Sequence, residues 1–149
     1  MTANPQENVG LHHDIRAIMR TSPVTVGMQD TVQQVEAVLE EHQLSSVPVI
    51  DPVRQDCFGI ISLKDIAHFH AAKKNPNAVR AWEMCTYRPL RLAPDASIDE
   101  AARLMVEHQI HHVVIVAADG TLAGFVSSLD IVADCLLRCA PGAATGAAR

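Results

Sequence analysis

Hydrophobic positions along the chain fall into two series that follow the same plan. In the first, Val32, Val35, Val38 and Leu39 recur at helical spacing; in the second, Ile98, Ala101 and Met105 do so. Each series opens on a hydroxyl with an amide or acid three residues on, Thr31-x-x-Gln34 and Ser97-x-x-Glu100. That spacing lets two side chains satisfy the free amides of a helix start reciprocally, as a capping box. The period then changes. The runs VPVI (47–50) and VVIV (113–116) are short, apolar and β-branched, which predicts buried strands. GIIS (59–62) and GFVS (124–127) predict a following strand, and a second helix starts near Leu63 or Ser128. Asp119-Gly120 marks the turn between the second pair of strands, and Pro52 opens a longer loop between the first pair. Ahead of each series a short segment after a proline, Val24–Val26 or Leu90–Leu92, reads as a leading strand.

Laying one series on the other makes the repeat explicit. Thr31 falls on Ser97, Val32 on Ile98, Leu39 on Met105, and His42-Gln43-Leu44 on His108-Gln109-Ile110, an offset of 66 residues. After the longer first loop the offset is 65, and FGIISLKDI (58–66) falls on AGFVSSLDI (123–131). The predicted fold is therefore α+β, with two β-α-β-β-α repeats. A unit of about 50 residues is marginal as an independent core, so the copies are expected to pack as one module about a pseudo-twofold axis. Continuous apolar strands also imply sheets covered on both faces. The expected boundaries are a tail over 1–14, repeat one over 15–70, a linker over 71–82, repeat two over 83–138 and a tail over 139–149.

Composition narrows the function classes. The chain is 48% hydrophobic but 3% aromatic, so its core is aliphatic and there is little to stack bases on. A formal net charge of −5 provides no footprint for a nucleic acid. No apolar run approaches the roughly 20 residues of a membrane span, and the N-terminus lacks a signal-peptide pattern. A cytoplasmic location is expected, with neither nucleic acid nor membrane as partner. Cys57, Cys85, Cys135 and Cys139 lack C-x-x-C spacing and read as reduced thiols. No nucleophile elbow, P-loop or HExxH motif appears, so the chain is not expected to be an enzyme.

Two further motifs carry a family resemblance: GIISLKD (59–65) and GFVSSLD (124–130), together with the Met19-to-Pro23 lead-in and the strand Val47 to Asp51. With the repeat, they make the chain resemble a tandem CBS (cystathionine β-synthase) domain pair, or Bateman module, from about Ile15 to Leu137. The resemblance implies two symmetry-related clefts between the copies. It also implies a regulatory ligand containing adenosine (AMP, ADP, ATP or S-adenosylmethionine) and no required cofactor.

The residues themselves leave two readings open. Ser62 with Asp65, and Ser127 with Asp130, place a hydroxyl at a helix start, where phosphate is favoured. They also place an acid able to accept from vicinal ribose hydroxyls. The same spacing is an ordinary helix cap. The adenine is expected near Val47 and Pro48 in one copy and Val113 and Val114 in the other. Arg16, Arg20, Lys64, Arg88, Arg91 and His112 are candidate phosphate donors. Arg20 stands where the family often has Thr, Cys85 is read at that place in copy two, and Thr21 and Thr86 follow directly. His108, His111 and His112 are read as helix-end or cleft-lining residues rather than as a metal site. Apolar residues on the second helices, Ile66, Phe69, Ile131, Val132, Leu136 and Leu137, lead us to expect a homodimer. The alternatives to a ligand-binding sensor are a ligand-free dimerisation module and contact with an unidentified protein target.

Overall fold

A computed structural model describes residues 13–139, so most of both expected tails lies outside the described residues. Repeat one comprises β1 (Val26–Gly27), α1 (Val32–Glu41), β2 (Ser46–Ile50), β3 (Cys57–Ser62) and α2 (Leu63–Ala71). A short helix α3 (Ala81–Met84) and strand β4 (Thr86–Tyr87) follow. Repeat two comprises β5 (Arg91–Leu92), α4 (Ile98–His108), β6 (His112–Val116), β7 (Leu122–Ser127) and α5 (Ser128–Cys139). Both predicted capping boxes form. Thr31 Oγ1 accepts from the Gln34 amide at 3.2 Å and Ser97 Oγ from the Glu100 amide at 3.1 Å. The return bonds, from the Thr31 and Ser97 amides to the Gln34 and Glu100 side chains, are both 2.8 Å.

Two sheets result, in the orders β1-β2-β3-β4 and β5-β6-β7. β1 runs parallel to β2, and β5 parallel to β6; β2–β3 and β6–β7 are antiparallel. The registers match across the repeat. Ser46 faces Ser62 and Val47 faces Ile61, as His112 faces Ser127 and Val113 faces Val126. One face of each sheet carries its helices. Val47, Val49 and Ile61 meet Val32, Val35 and Leu39 from α1, and Ile66 and Phe69 from α2. Val113, Ile115 and Val126 meet Ile98, Ala101, Met105 and Ile131 in the same way. The opposite faces meet each other through Cys57, Ile60, Val114 and Phe125. Arg91 crosses this seam and donates to the Cys57 carbonyl at 2.8 Å. Covering on both faces explains why the strands are continuously apolar.

The lead-in segments are exchanged. Ile15, in a 3-10 turn over Ile15–Ala17, is fully buried in the core of repeat two. Its amide donates to the Ala96 carbonyl, and the Ile98 amide to the His13 carbonyl, both at 2.8 Å. Arg20 and Phe125 then bond reciprocally, at 3.0 and 3.1 Å. The equivalent segment before repeat two does the same to repeat one. Ala81 is buried in the first core, its amide donating to the Asp30 carbonyl at 2.8 Å, and β4 pairs with β3. The end of the stretch read as a linker is thus packed structure. Ser22 and Arg88, at equivalent points after the exchanged segments, share a left-handed backbone, φ 49° and 53°.

Candidate functional site

At the end of β3, Ser62 is the N-cap of α2. Asp65 Oδ2 accepts from the Ser62 amide at 2.8 Å and the Ser62 hydroxyl at 2.9 Å, and the Asp65 amide donates to Ser62 Oγ at 3.3 Å. The capping reading is realised. It uses only one carboxylate oxygen: among the described residues, Asp65 Oδ1 has no hydrogen-bond partner. Ser46, opposite Ser62 on β2, is 5% exposed and its hydroxyl has no partner. A buried hydroxyl without a partner costs about 1–3 kcal/mol, and this one lies at the start of α2, where the Leu63 amide donates to the Ser45 carbonyl and the Asp65 amide to Ser62 Oγ. Thr86 on β4 lies exposed opposite Ile60, one residue from Cys85, whose sulfur lies over Gly59. Burial pushes the Cys85 thiol pKa up, and the nearby Asp65 charge adds to the rise.

The second copy has the same frame and different chemistry. Asp130 Oδ2 accepts from the Ser127 amide at 2.8 Å, and the Asp130 amide donates to Ser127 Oγ at 3.1 Å. Here the other oxygen is occupied: Arg20 Nη2 donates to Asp130 Oδ1 at 3.3 Å. His112 takes the position of Ser46 and lies flat on Phe125, with ring centroids 5.2 Å apart and planes within 4°. Its pKa is lowered from 6.5 to about 4, first by burial and then by His111 and Arg20; Asp130 opposes the shift. His112 is therefore neutral near pH 7, which leaves Arg20 as the cation beside Asp130.

The structure brings Ser127, Asp130, Arg20 and His112 together, and Ser62 with Asp65. Val47 and Val113 turn their side chains into the helix-covered cores, fully buried, which leaves only their backbone to border a base. Pro48 is fully buried as well, and Thr21 is exposed, with no side-chain hydrogen bond among the described residues. The strand register also corrects the pairing of the lead-ins. Arg20 bridges Phe125 and Thr86 pairs with Ile60, so Thr86 is the counterpart of Arg20, while Cys85 corresponds to Met19, which lies over Gly124. Arg16 is bound to Asp14, Arg88 lies over the Tyr87 ring and Arg91 holds the seam, so none is drawn to either Ser–Asp pair. His42 caps the C-terminus of α1 and His108 ends α4. Among the described residues no group of three metal-ligating side chains occurs. Ser46 and Phe125 were missed from sequence; carrying the offset from His112 to Ser46 would have found the first.

Two concavities contain neither pair: one borders the start of α2, and the other lies at the far end of β6 from Ser127. One of about 480 Å³ runs along α1 and the start of α2, lined by Leu39, Leu44, Leu63 and Ile66. The other, about 760 Å³, is lined by Arg16, Arg91 and Val116 among others.

Two exchanged βαββα repeats with a Ser–Asp pair at each second helix define a tandem-repeat module. Its residues 15–72 and 81–135 match the CBS domain, and the chain belongs to that family. It is 28% identical over 102 residues to the uncharacterized protein YlbB of Bacillus subtilis, 68% of each chain. It is 27% identical over 108 residues to an inosine-5'-monophosphate dehydrogenase of Korarchaeum cryptofilum, covering 72% of this chain but 21% of that enzyme. Among solved structures, Hypoxic Response Protein I with two coordinated zinc ions superposes with a TM-score of 0.71 at 25% identity, over 87% of this chain and all of that one. CBSX2 in complex with AMP superposes with a TM-score of 0.74 at 21% identity, over 85% and 98%. The CBS pair of MJ0100 with 5-methylthioadenosine and S-adenosyl-L-methionine gives 0.73 at 24%, over 81% and 94%. Among the described residues no helix is long and apolar enough to cross a membrane.

Proposed function

We propose that this chain is a regulatory module without a reaction of its own, which binds an adenosine-containing ligand at the Ser62–Asp65 end of repeat one. The observation that carries the reading is the buried, unpartnered Ser46 hydroxyl facing Ser62, beside a carboxylate with one oxygen free. A ribose diol donates to Asp65 Oδ1 while Oδ2 keeps the cap intact. The Ser46 and Ser62 hydroxyls and the Lys64 amide serve the ligand's polar groups at the positive end of α2, the Leu63 and Asp65 amides being bonded to Ser45 and Ser62. The neighbours solved with AMP, and with 5-methylthioadenosine and S-adenosyl-L-methionine, support an adenosine-containing ligand. Binding acts by shifting the populations of module geometries that partners recognise.

Thermal denaturation with millimolar AMP, ATP and S-adenosylmethionine tests this. A ligand at about 100 times its Kd stabilises by about 2.7 kcal/mol, and for a domain of this size that raises Tm by several degrees. The rise is expected with at least one ligand and is expected to shrink in Asp65→Ala, which loses the repeat-one site. No shift with any of the three refutes the reading.

A second reading, self-association, has its own observation. Of the apolar residues expected to pair modules, Ile66, Phe69 and Ile131 are buried in the two cores. Leu129, Val132, Leu136 and Leu137 of α5 remain exposed. We propose that a second copy covers them. Light scattering on a gel-filtered sample is expected to give a dimer for the wild type and a monomer for Leu136→Glu; a wild-type monomer overturns this.

A further inference from the structure

Resting on the nucleotide reading above, we infer that Arg20 is a selectivity lock on the second cleft: only a ligand that carries a phosphate opens it. The Asp130 carboxylate has two oxygens, and Oδ2 is held by the Ser127 amide at 2.8 Å. Asp65 Oδ1, the oxygen proposed above to accept from a ribose diol, has no partner among the described residues; its counterpart in repeat two is held by Arg20 at 3.3 Å. A neutral nucleoside entering here must displace a guanidinium and give it nothing in return. A phosphorylated one offers the guanidinium a new anion, so Arg20 leaves Asp130 for phosphate and the carboxylate is released to the diol.

The geometry allows this exchange at low cost. Arg20 is clamped by its backbone to Phe125, at 3.0 and 3.1 Å, so the segment stays in place while the side chain swings. That side chain is 56% exposed, whereas Asp130 is 18% exposed, so the mobile partner is the cation. Among the described residues no other basic side chain is hydrogen-bonded to Asp130, and the adjacent His112 is packed flat on Phe125 and neutral near pH 7. In repeat one the equivalent position is Thr86, which pairs with Ile60 and carries no charge. The two clefts therefore differ in kind. The first is open to adenosine with or without phosphate, and the second is conditional on phosphate.

Isothermal titration with AMP and adenosine tests the lock, with Asp65→Asn to silence the first cleft and its cap preserved by the amide oxygen. The Asp65→Asn protein is expected to bind AMP at least tenfold more tightly than adenosine, the discrimination expected of one charge-assisted contact. Adding Arg20→Ala is expected to move the ligands in opposite directions: AMP weakens and adenosine tightens, each by about tenfold. Arg20→Lys is expected to keep the preference for AMP. A transplant provides an independent arm: Thr86→Arg in the otherwise wild-type chain should weaken adenosine at the first cleft by about tenfold. If Arg20→Ala weakens both ligands, tightens both or changes neither, the lock is refuted. Loss of all AMP binding in Asp65→Asn refutes it too, since the second cleft then takes no ligand. A wild type that binds neither AMP nor adenosine removes the nucleotide reading itself.

Discussion

Two equivalent glycines, Gly59 and Gly124, are closed off by opposite kinds of neighbour, and alanine at each reads out the exchanged lead-ins. A Cβ on Gly59 meets the Cys85 sulfur at 2.5 Å, the Thr86 carbonyl at 2.8 Å and the Cys85 Cβ at 3.0 Å. The sulfur can rotate away; the carbonyl is backbone and the Cβ is fixed by the backbone of the segment pairing with β3, so both move only if that segment moves. A Cβ on Gly124 meets the Met19 sulfur at 2.7 Å and its Cγ at 3.1 Å, with the Arg20 carbonyl no nearer than 3.3 Å. An unbranched methionine yields to such a contact by changing rotamer. Overpacking a filled site costs about 1–3 kcal/mol; Gly59→Ala belongs at the top of that range and Gly124→Ala at or below its bottom. In urea, with a slope of about 1–3 kcal/mol/M, the first lowers the midpoint by about 1 M and the second by a few tenths. Gly59→Ala should also reduce the Tm rise with AMP, because β4 carries Thr86 to the Ser62–Asp65 end. Equal destabilisation by the two alanines, or a neutral Gly59→Ala, would show that β4 is not held against β3 as described.

Three other outcomes follow from the same packing. Ile15→Ala removes a fully buried side chain from the second core and should cost about 2–4 kcal/mol, with the loss of amide-exchange protection concentrated in α4, β6 and β7; loss confined to repeat one would contradict the exchange. His112 titrates near 4 when folded against 6.5 unfolded, so the unfolded chain binds the extra proton first. Its contribution is complete above pH 6.5 and is lost as pH falls towards 4; urea midpoints should decline across that window in the wild type and less steeply in His112→Gln. Gln109 closes α4 in the left-handed region, φ 53°, where glycine is unstrained, so Gln109→Gly should stabilise by about 0.5–1 kcal/mol in urea titration.

What the sequence disclosed follows from where its information is local. The capping boxes at Thr31 and Ser97, the helical rows of Val32–Leu39 and Ile98–Met105, and the β-branched strands are each set within a few residues, and they form as read. The exchange of lead-ins is not local. Ile15 and Ala81 are apolar residues beside short turns, and the same pattern serves whichever core receives them; only the pairing of Ile15 with Ala96 and of Ala81 with Asp30 decides it. The strands mislead for a related reason. Val47 and Val113 belong to apolar runs whose alternate residues face helices or the seam, and without the register the two faces cannot be told apart. Ser62–Asp65 and Ser127–Asp130 look identical in sequence; the difference between them comes from Arg20, 110 positions from Asp130.

The most direct test of the account follows backbone amides by NMR as AMP is titrated into the uniformly labelled chain. The earliest and largest shifts are expected at Ser46, Ser62, Leu63, Lys64, Asp65 and Thr86, and Asp65→Ala is expected to remove them. Saturable shifts confined to the α1 groove around Leu39 and Leu44, or shifts unchanged in Asp65→Ala, would contradict it.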